Sequence, residues 1–420
     1  MRIALVTPML PRPDAPSAGR LVMYAQWQAL LARHTVTLIT FAGPEDADLA
    51  ALAELRASGA EVCSIWRAAP YGLGRWRRRV WLARGYLRGD RPMRALEFAD
   101  SRMQALLDHT LGIGSFDLIQ VEDNAMGAYR YPPRLPTVLT EHEVRDPAGG
   151  ADAVPTGNAA VERLARHLCA PLSEAERRRW GRYQSAVWHR FDRIQVFTGR
   201  DANILARAAP AMADRIRVNP FGVALPPAAD PREEDSDTVL FVGSFAHAPN
   251  IDAARWLGDE IMPRLRSLRP SARLLIVGAQ PPQSVRTLAD TGRQIEVAGY
   301  VPSLRPYLAR AAVVVAPLRE GGGMRLKVLE ALAAGKAVVA TSLATSGLER
   351  AEGIGRLPLV VADDADAFAA EIASLLGNCG ARRRMGGRAR AYVARHHTWS
   401  AYADRLEATY AGLVTRTGGR

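Results

Sequence analysis

Short apolar runs alternate with stretches of helical periodicity along most of the chain. In the first half the apolar runs are Ile3–Thr7, Thr35–Thr40, Asp117–Val121, Thr137–Thr140, Arg193–Phe197 and Arg215–Val218. Runs that are apolar throughout are typical of parallel strands buried on both faces. Helical patterns run from about Leu21 to Ala32 and, rich in arginine, from about Val161 to Arg190. This order predicts a doubly wound parallel sheet.

The same pattern restarts after residues 224–237, which are rich in proline and acidic side chains and have no apolar periodicity. Further strands are predicted at Thr238–Gly243, Ala272–Gly278, Ile295–Gly299, Ala312–Ala316 and Ala337–Thr341. We therefore predict an N-terminal Rossmann-like domain (1–223), a linker (224–237), a second Rossmann-like domain (238–395) and a C-terminal segment (396–420). An amphipathic helix from Trp399 to Leu413 has no strand after it, so we expect it to pack back onto the first domain. Two such domains would face each other across a ligand cleft.

Composition narrows the class of protein. With 420 residues, 48% hydrophobic and 23% charged, the chain has the make-up of a folded two-domain protein. Its three cysteines are far apart, so neither a disulfide framework nor a zinc cluster is indicated. No apolar run approaches the length of a membrane span, and the first run is too short for a signal-peptide core. We expect a cytoplasmic protein that is not an integral membrane protein.

The net charge of +12 favours polyanionic partners. Residues 75–88 interleave arginines with aromatic side chains, and Arg177–Tyr183 repeats the pattern. Such helices bind anionic membrane surfaces, although a solvated helix face explains them equally well. We predict possible peripheral association with the inner face of the cytoplasmic membrane through residues 75–88. No nucleic-acid motif is present, and nucleic acid is not a predicted partner.

Lysine is almost absent: of 55 basic residues only Lys327 and Lys336 are lysines, and both lie in one short segment. That segment follows a predicted strand and contains Gly321, Gly322 and Gly323. Glycines let the backbone approach a ligand, and a helix beginning near Met324 or Arg325 would direct its first amides at an anion. With Arg325 and Lys327 the segment suits a diphosphate.

Two side chains further along complete this picture. Glu330 lies one helical step from Lys327, where its carboxylate can accept two ribose hydroxyls. The plainer interpretation is a glycine-rich turn with an incidental Lys–Glu pair. Lys336 follows Gly335, and we predict that it is a helix-end residue that interacts with the helix dipole.

These motifs resemble the retaining group 1 (family 4) nucleotide-sugar glycosyltransferases of GT-B fold, in particular a subgroup with a loop of the GGGMRLKVLE type. The resemblance covers nearly the whole chain. Further similar positions are Gly243, Ser244 and Asn250 after the first strand of the second domain, Gly278 after the next, and Val301 in the stretch whose backbone meets the nucleobase. In the first half Ala18 and Gly19 occupy the place of a Gly-Gly loop for acceptor or phosphate, and His142 that of an active-site histidine.

The chain also departs from the family pattern. Counting back from Glu330, Gly322 stands where the family has a first glutamate, and Glu320 comes two residues too early. The family's Arg and Lys after the first donor-domain strand are missing, and Ser244 and Asn250 stand at about those places. We infer that Arg325 and Lys327 supply the phosphate charge instead.

The resemblance implies a hexosyltransferase that moves a sugar from a nucleotide diphosphate sugar to a saccharide or lipid-linked acceptor, with retention of configuration. The implied setting is bacterial cell-surface glycan synthesis. His142, Arg325, Lys327 and Glu330 are the predicted catalytic residues, and Gly243, Ser244, Asn250, Gly278, Val301, Gly321–Gly323 and Met324 the donor-binding set. No cofactor is implied beyond the nucleotide sugar as co-substrate.

No metal is predicted. The triplets Asp46–Asp48, Asp235–Asp237 and Asp364–Asp366 do not follow strands as a metal motif requires, and we expect solvated loops. Competing functions are a sugar-nucleotide epimerase of similar fold and a non-catalytic nucleotide-sugar or polyanion-binding protein. A Rossmann dehydrogenase is disfavoured because no Gly-x-Gly-x-x-Gly follows the first strand.

Overall fold

The computed structural model of the chain describes residues 1–13, 18–43, 46–67, 73–89, 91–142, 144–145, 159–227, 232–289, 292, 294–321, 325–348 and 357–417. The chain divides into two compact units. The second unit includes Gly222–Ala401, and from Tyr402 onward the chain belongs to the first unit again.

Seven parallel strands form the sheet of the first unit. They are β1 (Arg2–Thr7), β2 (Thr35–Ala42), β3 (Glu61–Trp66), β4 (Leu118–Glu122), β5 (Thr137–Glu141), β6 (Arg193–Val196) and β7 (Ile216–Val218). Their order is β3-β2-β1-β4-β5-β6-β7. The predicted doubly wound sheet is confirmed, with β3 as an addition at its edge. Sequence reasoning missed β3 because its side chains are only half-buried, so the strand has no continuous apolar run.

Helices connect these strands. They are α1 (Ala18–Leu31), α2 (Asp46–Ala57), α3 (Leu73–Arg88), α4 (Met93–Glu97), α5 (Ser101–Ile113), α6 (Ala159–Trp188) and α7 (Gly199–Ala208), with 3₁₀ turns at Asn124–Met126 and Pro210–Arg215. Helical packing against the sheet buries the large rings of Trp27 and Trp188 completely. Since apolar burial is the main driving force of folding, these contacts hold α1 and α6 against the sheet.

The second unit has six parallel strands. They are β8 (Asp235–Val242), β9 (Arg273–Val277), β10 (Ile295–Gly299), β11 (Ala311–Ala316), β12 (Ala337–Ala340) and β13 (Val360–Val361), in the order β10-β9-β8-β11-β12-β13. The helices are α8 (Ala248–Trp256), α9 (Met262–Leu268), α10 (Gln283–Arg286), α11 (Arg305–Arg310), α12 (Leu326–Ala333), α13 (Ala365–Leu376) and α14 (Cys379–His396), with a π-helical segment Leu257–Ile261 and a 3₁₀ turn Leu343–Thr345.

The boundary of this unit differs slightly from expectation. β8 begins at Asp235, three residues before the predicted strand start at Thr238, and so includes the end of the predicted linker. Asp235 accepts a hydrogen bond from Arg273 at 2.8 Å. The polar start of this strand conceals it in the sequence.

The last helix, α15 (Trp399–Thr417), returns to the first sheet. Tyr402 and Tyr410 are fully buried, and their hydroxyls hydrogen-bond to Gln195 of β6 at 2.8 Å and to Gln120 of β4 at 2.9 Å. Arg405 donates to the side chain of Asn219 and the carbonyl of Pro220, both at 2.7 Å. The C-terminal helix is thus tied to the sheet by polar as well as apolar contacts.

Lys336 has a different role from the one predicted. It follows the left-handed Gly335 that ends α12, as expected. Its ammonium group, however, is buried and donates to the carbonyls of Ala309 and Ala311, each at 2.9 Å, at the end of α11. Burial lowers the pKa of Lys336, and Glu234, 3.6 Å away, opposes that shift. Lys336 is therefore a structural residue of the second unit.

Gly386 of α14 packs against the backbone of Gly335. A Cβ at Gly386 would lie 1.8 Å from the Gly335 carbonyl oxygen, whereas a Cβ at the next residue, Gly387, meets nothing within 4 Å. We expect Gly386→Ala to lower the free energy of unfolding by about 2 kcal/mol or more, because backbone must move. Gly387→Ala should raise it by roughly 0.5–1 kcal/mol by reducing chain entropy in a helix. Urea denaturation of both variants measures this, and equal effects would rule out the close contact.

Candidate functional site

The strand order of each sheet reverses at one point. In the second unit the reversal lies between β8 and β11, and in the first between β1 and β4. Since all strands are parallel, their carboxyl ends share one edge, and open α/β sheets bind ligands where the order reverses. The loops after β8, β11, β1 and β4 are therefore the places to look for function.

Two glycines and two polar residues of the predicted donor-binding set meet at the ends of β8 and β9. A Cβ at Gly278 would lie 1.7 Å from the Gly243 carbonyl oxygen, so the two strand ends are packed backbone to backbone. The side-chain amide of Asn250 donates to the carbonyl of Ser244 at 2.7 Å. This hydrogen bond stabilises the turn after β8. Gly243, Ser244, Asn250 and Gly278 are thus brought together.

The loop after β11 reaches the same place. Gly321 has φ +100°, and a Cβ on it would lie 3.2 Å from both Pro249 and the Arg325 guanidinium. Arg325 is the N-cap residue of α12. The Arg325 charge therefore lies beside the glycine backbone, next to the start of α8. Gly322, Gly323 and Met324 lie outside the described residues.

Arg319 anchors this loop. Its guanidinium makes two hydrogen bonds to Asp252 of α8, at 3.0 and 2.6 Å, and lies 4.9 Å from the ring centre of Trp256. The hydrogen bond to Asp252 is the main cause that raises the pKa of Arg319. Arg319 therefore holds the loop after β11 against α8.

Lys327 and Glu330 form an ion pair on the first turn of α12. The ammonium and the carboxylate are 2.8 Å apart, and the side chains are 43% and 29% exposed. Such an exposed pair contributes little to stability. A cation and a carboxylate held side by side near a helix N-terminus remain available to a ligand that carries phosphate and hydroxyl groups.

The edge strand β10 ends in Gly299, with Tyr300 and Val301 after it. Gly278 donates its amide hydrogen to the Gly299 carbonyl at 2.8 Å, so this strand end adjoins the ends of β9 and β8. Tyr300 is 75% exposed, which is unusual for a large aromatic residue. Sequence reasoning passed over Tyr300, although an aromatic residue directly after a strand-ending glycine is a usable signal.

The predicted residues of the first unit are also adjacent. A Cβ on Gly19, in the first turn of α1, would lie 3.9 Å from Nδ1 of His142, which follows β5. The His142 ring packs edge-on against Phe197 with centroids 5.2 Å apart. Its other nitrogen, Nε2, lies 2.8 Å from Oε2 of Glu122, the last residue of β4. Of Ala18, only the backbone position at the start of α1 is described.

Sequence reasoning missed Glu122. It is completely buried, yet its carboxylate faces three donors: Gln26 at 2.7 Å, Gln120 at 2.8 Å and His142. The available signal was the spacing of Gln120 and Glu122 within an otherwise apolar strand. Polar residues at i and i+2 on a buried strand share a face, and buried polar groups require partners.

The expectation that the Asp-x-Asp triplets lie in solvated loops is wrong. Asp48 is fully buried in α2 and accepts hydrogen bonds from Arg12 at 2.6 Å, Arg20 at 3.3 Å and the Gly43 amide at 2.8 Å. Asp235 begins β8, and Asp364 caps α13 by accepting from the Ala367 amide. Helix caps and ion pairs, rather than solvated loops, explain these acids.

Glu141, next to His142, is a second buried acid of this region. Its carboxyl accepts hydrogen bonds from Trp188 and Asn124. Burial raises the pKa of Glu141 from 4.5 to about 8, and these hydrogen bonds oppose the shift. The neutral form is therefore favoured at neutral pH.

Comparison with known proteins agrees with this geometry. Residues 236–378 match the family model described as "Glycosyl transferases group 1". The matched stretch lies within the second unit. A phosphatidyl-myo-inositol mannosyltransferase of Mycolicibacterium smegmatis is 31% identical over 202 residues, which are 46% of this chain and 51% of that protein. The chain thus spans about half the length of this curated glycosyltransferase.

Solved structures extend the likeness to the whole chain. HepE of Anabaena in complex with UDP has a TM-score of 0.61 at 13% identity, over 98% of this chain and 100% of that one. A variant of S. aureus TarM in complex with fondaparinux, α-GlcNAc-glycerol and UDP has a TM-score of 0.62 at 10% identity, over 97% and 99%. The predicted two-domain α/β fold of the GT-B glycosyltransferases is confirmed.

The buried Glu141 generates a prediction for stability. Between pH 4.5 and about 8 the folded protein keeps the Glu141 proton while the unfolded chain releases it. The free energy of unfolding should therefore fall as pH rises through this window. Glu141→Gln keeps the acceptor oxygen and has no proton to lose, so its stability should fall less between pH 5 and 8.

Thermal unfolding at several pH values measures this difference. Glu54→Gln, at an exposed position of α2, is the matched control and should keep the wild-type pH dependence. Parallel curves for wild type and Glu141→Gln would contradict the assignment.

Proposed function

We propose that the protein is a retaining glycosyltransferase that moves a hexosyl group from a nucleotide diphosphate sugar to a saccharide or lipid-linked acceptor. The observation that carries the proposal is the grouping of Arg325, Lys327 and Glu330 at the start of α12, at the point where the strand order reverses. The family match of residues 236–378 supports the same reaction class.

In the proposed reaction the bond between the anomeric carbon and the diphosphate breaks, and the diphosphate leaves with the electron pair. Arg325, Lys327 and the first amides of α12 stabilise the developing negative charge. These groups are held in place before the reaction, and we propose that the step needs no metal. The acceptor hydroxyl forms the new bond on the same face, and its proton passes to the departing phosphate.

The rest of the nucleotide is assigned along the strand ends. Glu330 accepts the ribose hydroxyls, and the stretch around Val301 meets the base. The ends of β10 and β11 are three strand spacings apart, about 14 Å. This distance is comparable to an extended nucleoside diphosphate, and the exposed Tyr300 ring lies beside the base end of that path.

Three relatives support the choice of ligands. HepE was solved with UDP and with UDP and glucose, TarM with UDP and a glycosylated glycerol, and the mycobacterial relative is a mannosyltransferase. By analogy we propose a nucleoside diphosphate hexose as donor. His142, with Gly19 beside it, is proposed to contact the transferred sugar. We place the reaction in bacterial cell-surface glycan synthesis, on the cytoplasmic side.

Nucleotide binding tests the donor site. Thermal-shift measurements over UDP, GDP and ADP identify the nucleotide that stabilises the protein most. For that nucleotide we expect Lys327→Ala and Glu330→Ala each to raise Kd about tenfold or more, since each removes a charge-assisted hydrogen bond. Calorimetric titration measures the Kd.

Arg388→Gln is the control, because it removes one positive charge from an exposed position of α14 in the same unit. It should bind with the wild-type Kd. An unchanged Kd in the Lys327 and Glu330 variants would contradict the assignment of the donor site. Conversion of the free nucleotide sugar to an epimer without any acceptor would favour the epimerase instead.

We further propose that α3 contacts an anionic membrane surface. Trp81 is 50% and Leu87 80% exposed, and the exposed Arg84 lies between them at helical spacing. On the buried side Arg179 lies 3.9 Å over the ring of Tyr86 and anchors the helix. The sequence of α3 contains arginines but no acidic residue. Among the described helices, none is both long enough and apolar enough to cross a bilayer.

Flotation with liposomes tests this surface. We expect wild type to bind vesicles rich in phosphatidylglycerol and not pure phosphatidylcholine, and the double variant Trp81→Ser/Leu87→Ser to lose most of the bound fraction. Ile113→Ser, which alters a 74% exposed apolar side chain of the same unit, should bind as wild type does. Equal binding by all three proteins would exclude α3 as the contact.

A further inference from the structure

We propose that Glu122 is the positioning residue of His142, and that a buried hydrogen-bond chain from the C-terminal helix holds it in place. The inference rests on the proposed function only in assigning His142 to the sugar. All the residues involved belong to the first unit.

The first step concerns the protons of the imidazole ring. A carboxylate has no hydrogen to donate, so the 2.8 Å contact between Glu122 and Nε2 places a hydrogen on Nε2. In the neutral ring Nδ1 is then an acceptor. Among the residues that the structure describes, Nδ1 has no hydrogen-bond partner, and it is the nitrogen that faces Gly19.

The second step concerns what fixes the carboxylate. Oε1 of Glu122 accepts from Gln26 and Gln120, so only Oε2 is left for His142. Gln120 in turn donates to the Thr140 hydroxyl at 2.7 Å and accepts from the Tyr410 hydroxyl at 2.9 Å. Because Tyr410 and Gln120 are fully buried, neither has water as an alternative partner.

The third step concerns the ring plane. Phe197 packs edge-on against His142, which limits rotation of the imidazole. Glu122 then decides which nitrogen faces outward. A ligand hydroxyl beside Gly19 would donate its hydrogen to Nδ1 of His142. Tyr410 lies on the C-terminal helix α15. Through Gln120 and Glu122 it helps to determine which nitrogen of His142 carries the hydrogen.

The test is the tautomer of His142, read from the ¹⁵N shifts of histidine-labelled protein and assigned with His142→Gln. Wild type at a pH where His142 is neutral should show the Nε2–H form alone. Glu122→Gln replaces the fixed acceptor with an amide that can also donate, so a substantial fraction of the Nδ1–H form is expected. Tyr410→Phe removes one hydroxyl from the chain and should shift the population in the same direction, by less.

Tyr183→Phe is the matched control. Tyr183 is also buried in the first unit, and its hydroxyl bonds the Asn124 carbonyl at 3.0 Å outside the chain to Glu122. This variant should keep the wild-type tautomer. An unchanged His142 tautomer in Glu122→Gln overturns the proposal, and should that variant not fold, an unchanged tautomer in Tyr410→Phe does so.

Activity separates this inference from the proposed function. We expect Glu122→Gln to lower kcat about tenfold or more, since misplacement of a catalytic group is costly, while the Kd of the nucleotide at the second unit stays within about twofold. If neither wild type nor any variant transfers sugar, the proposed function fails but the tautomer result stands. A loss of nucleotide binding in Glu122→Gln would instead indicate general unfolding and would count against a positioning role.

Discussion

Parallel strand pairing is the constraint on which every functional feature of the chain depends. In both sheets it aligns the carboxyl ends of the strands at one edge, and the reversal of strand order opens a place for loops between two diverging helices. The loops after β8 and β11 can therefore meet, with Arg319 bridging to Asp252. The same rule brings Gly19, Glu122 and His142 together from distant parts of the sequence. The topology of the sheets thus decides which residues can meet, and the identity of the side chains decides what they do there.

Three acids, Glu122, Glu141 and Glu234, show how surroundings decide what a carboxyl group does. Glu122 accepts hydrogen bonds from three donors, whereas Glu141, one strand away, has two neutral donors and a pKa that burial raises to about 8. Glu234 accepts two hydrogen bonds from Arg382 and lies near Lys336, so it joins the start of β8 to α14. A carboxyl group thus has three different roles: Glu122 is proposed to orient His142, Glu141 is a neutral hydrogen-bonding group, and Glu234 forms an ionic cross-link.

Much of the fold could be predicted because buried parallel strands leave continuous apolar runs, as in Ala312–Ala316. β3 lacks such a run, and β13 is only two residues long, so these two edge strands leave little trace in a single sequence. The site residues that follow strand ends, such as Gly243, Gly278 and His142, could be found for the same topological reason. The partners of buried polar side chains could not be predicted. No sequence pattern reveals that Glu122 faces His142, that Asp48 binds two arginines, or that Lys336 reaches the end of α11.

The near absence of lysine acquires a practical meaning from the structure. Of the two lysines, Lys336 is buried and held by carbonyls, while the side chain of Lys327 is 43% exposed. Any reagent selective for lysine amines therefore finds one readily accessible side chain, and it is in the proposed donor site. Among lysine side chains, which in most proteins are scattered over the surface, amine coupling is therefore directed to a single site. Protection of that amine by a bound nucleotide would report occupancy of the site without any knowledge of the acceptor.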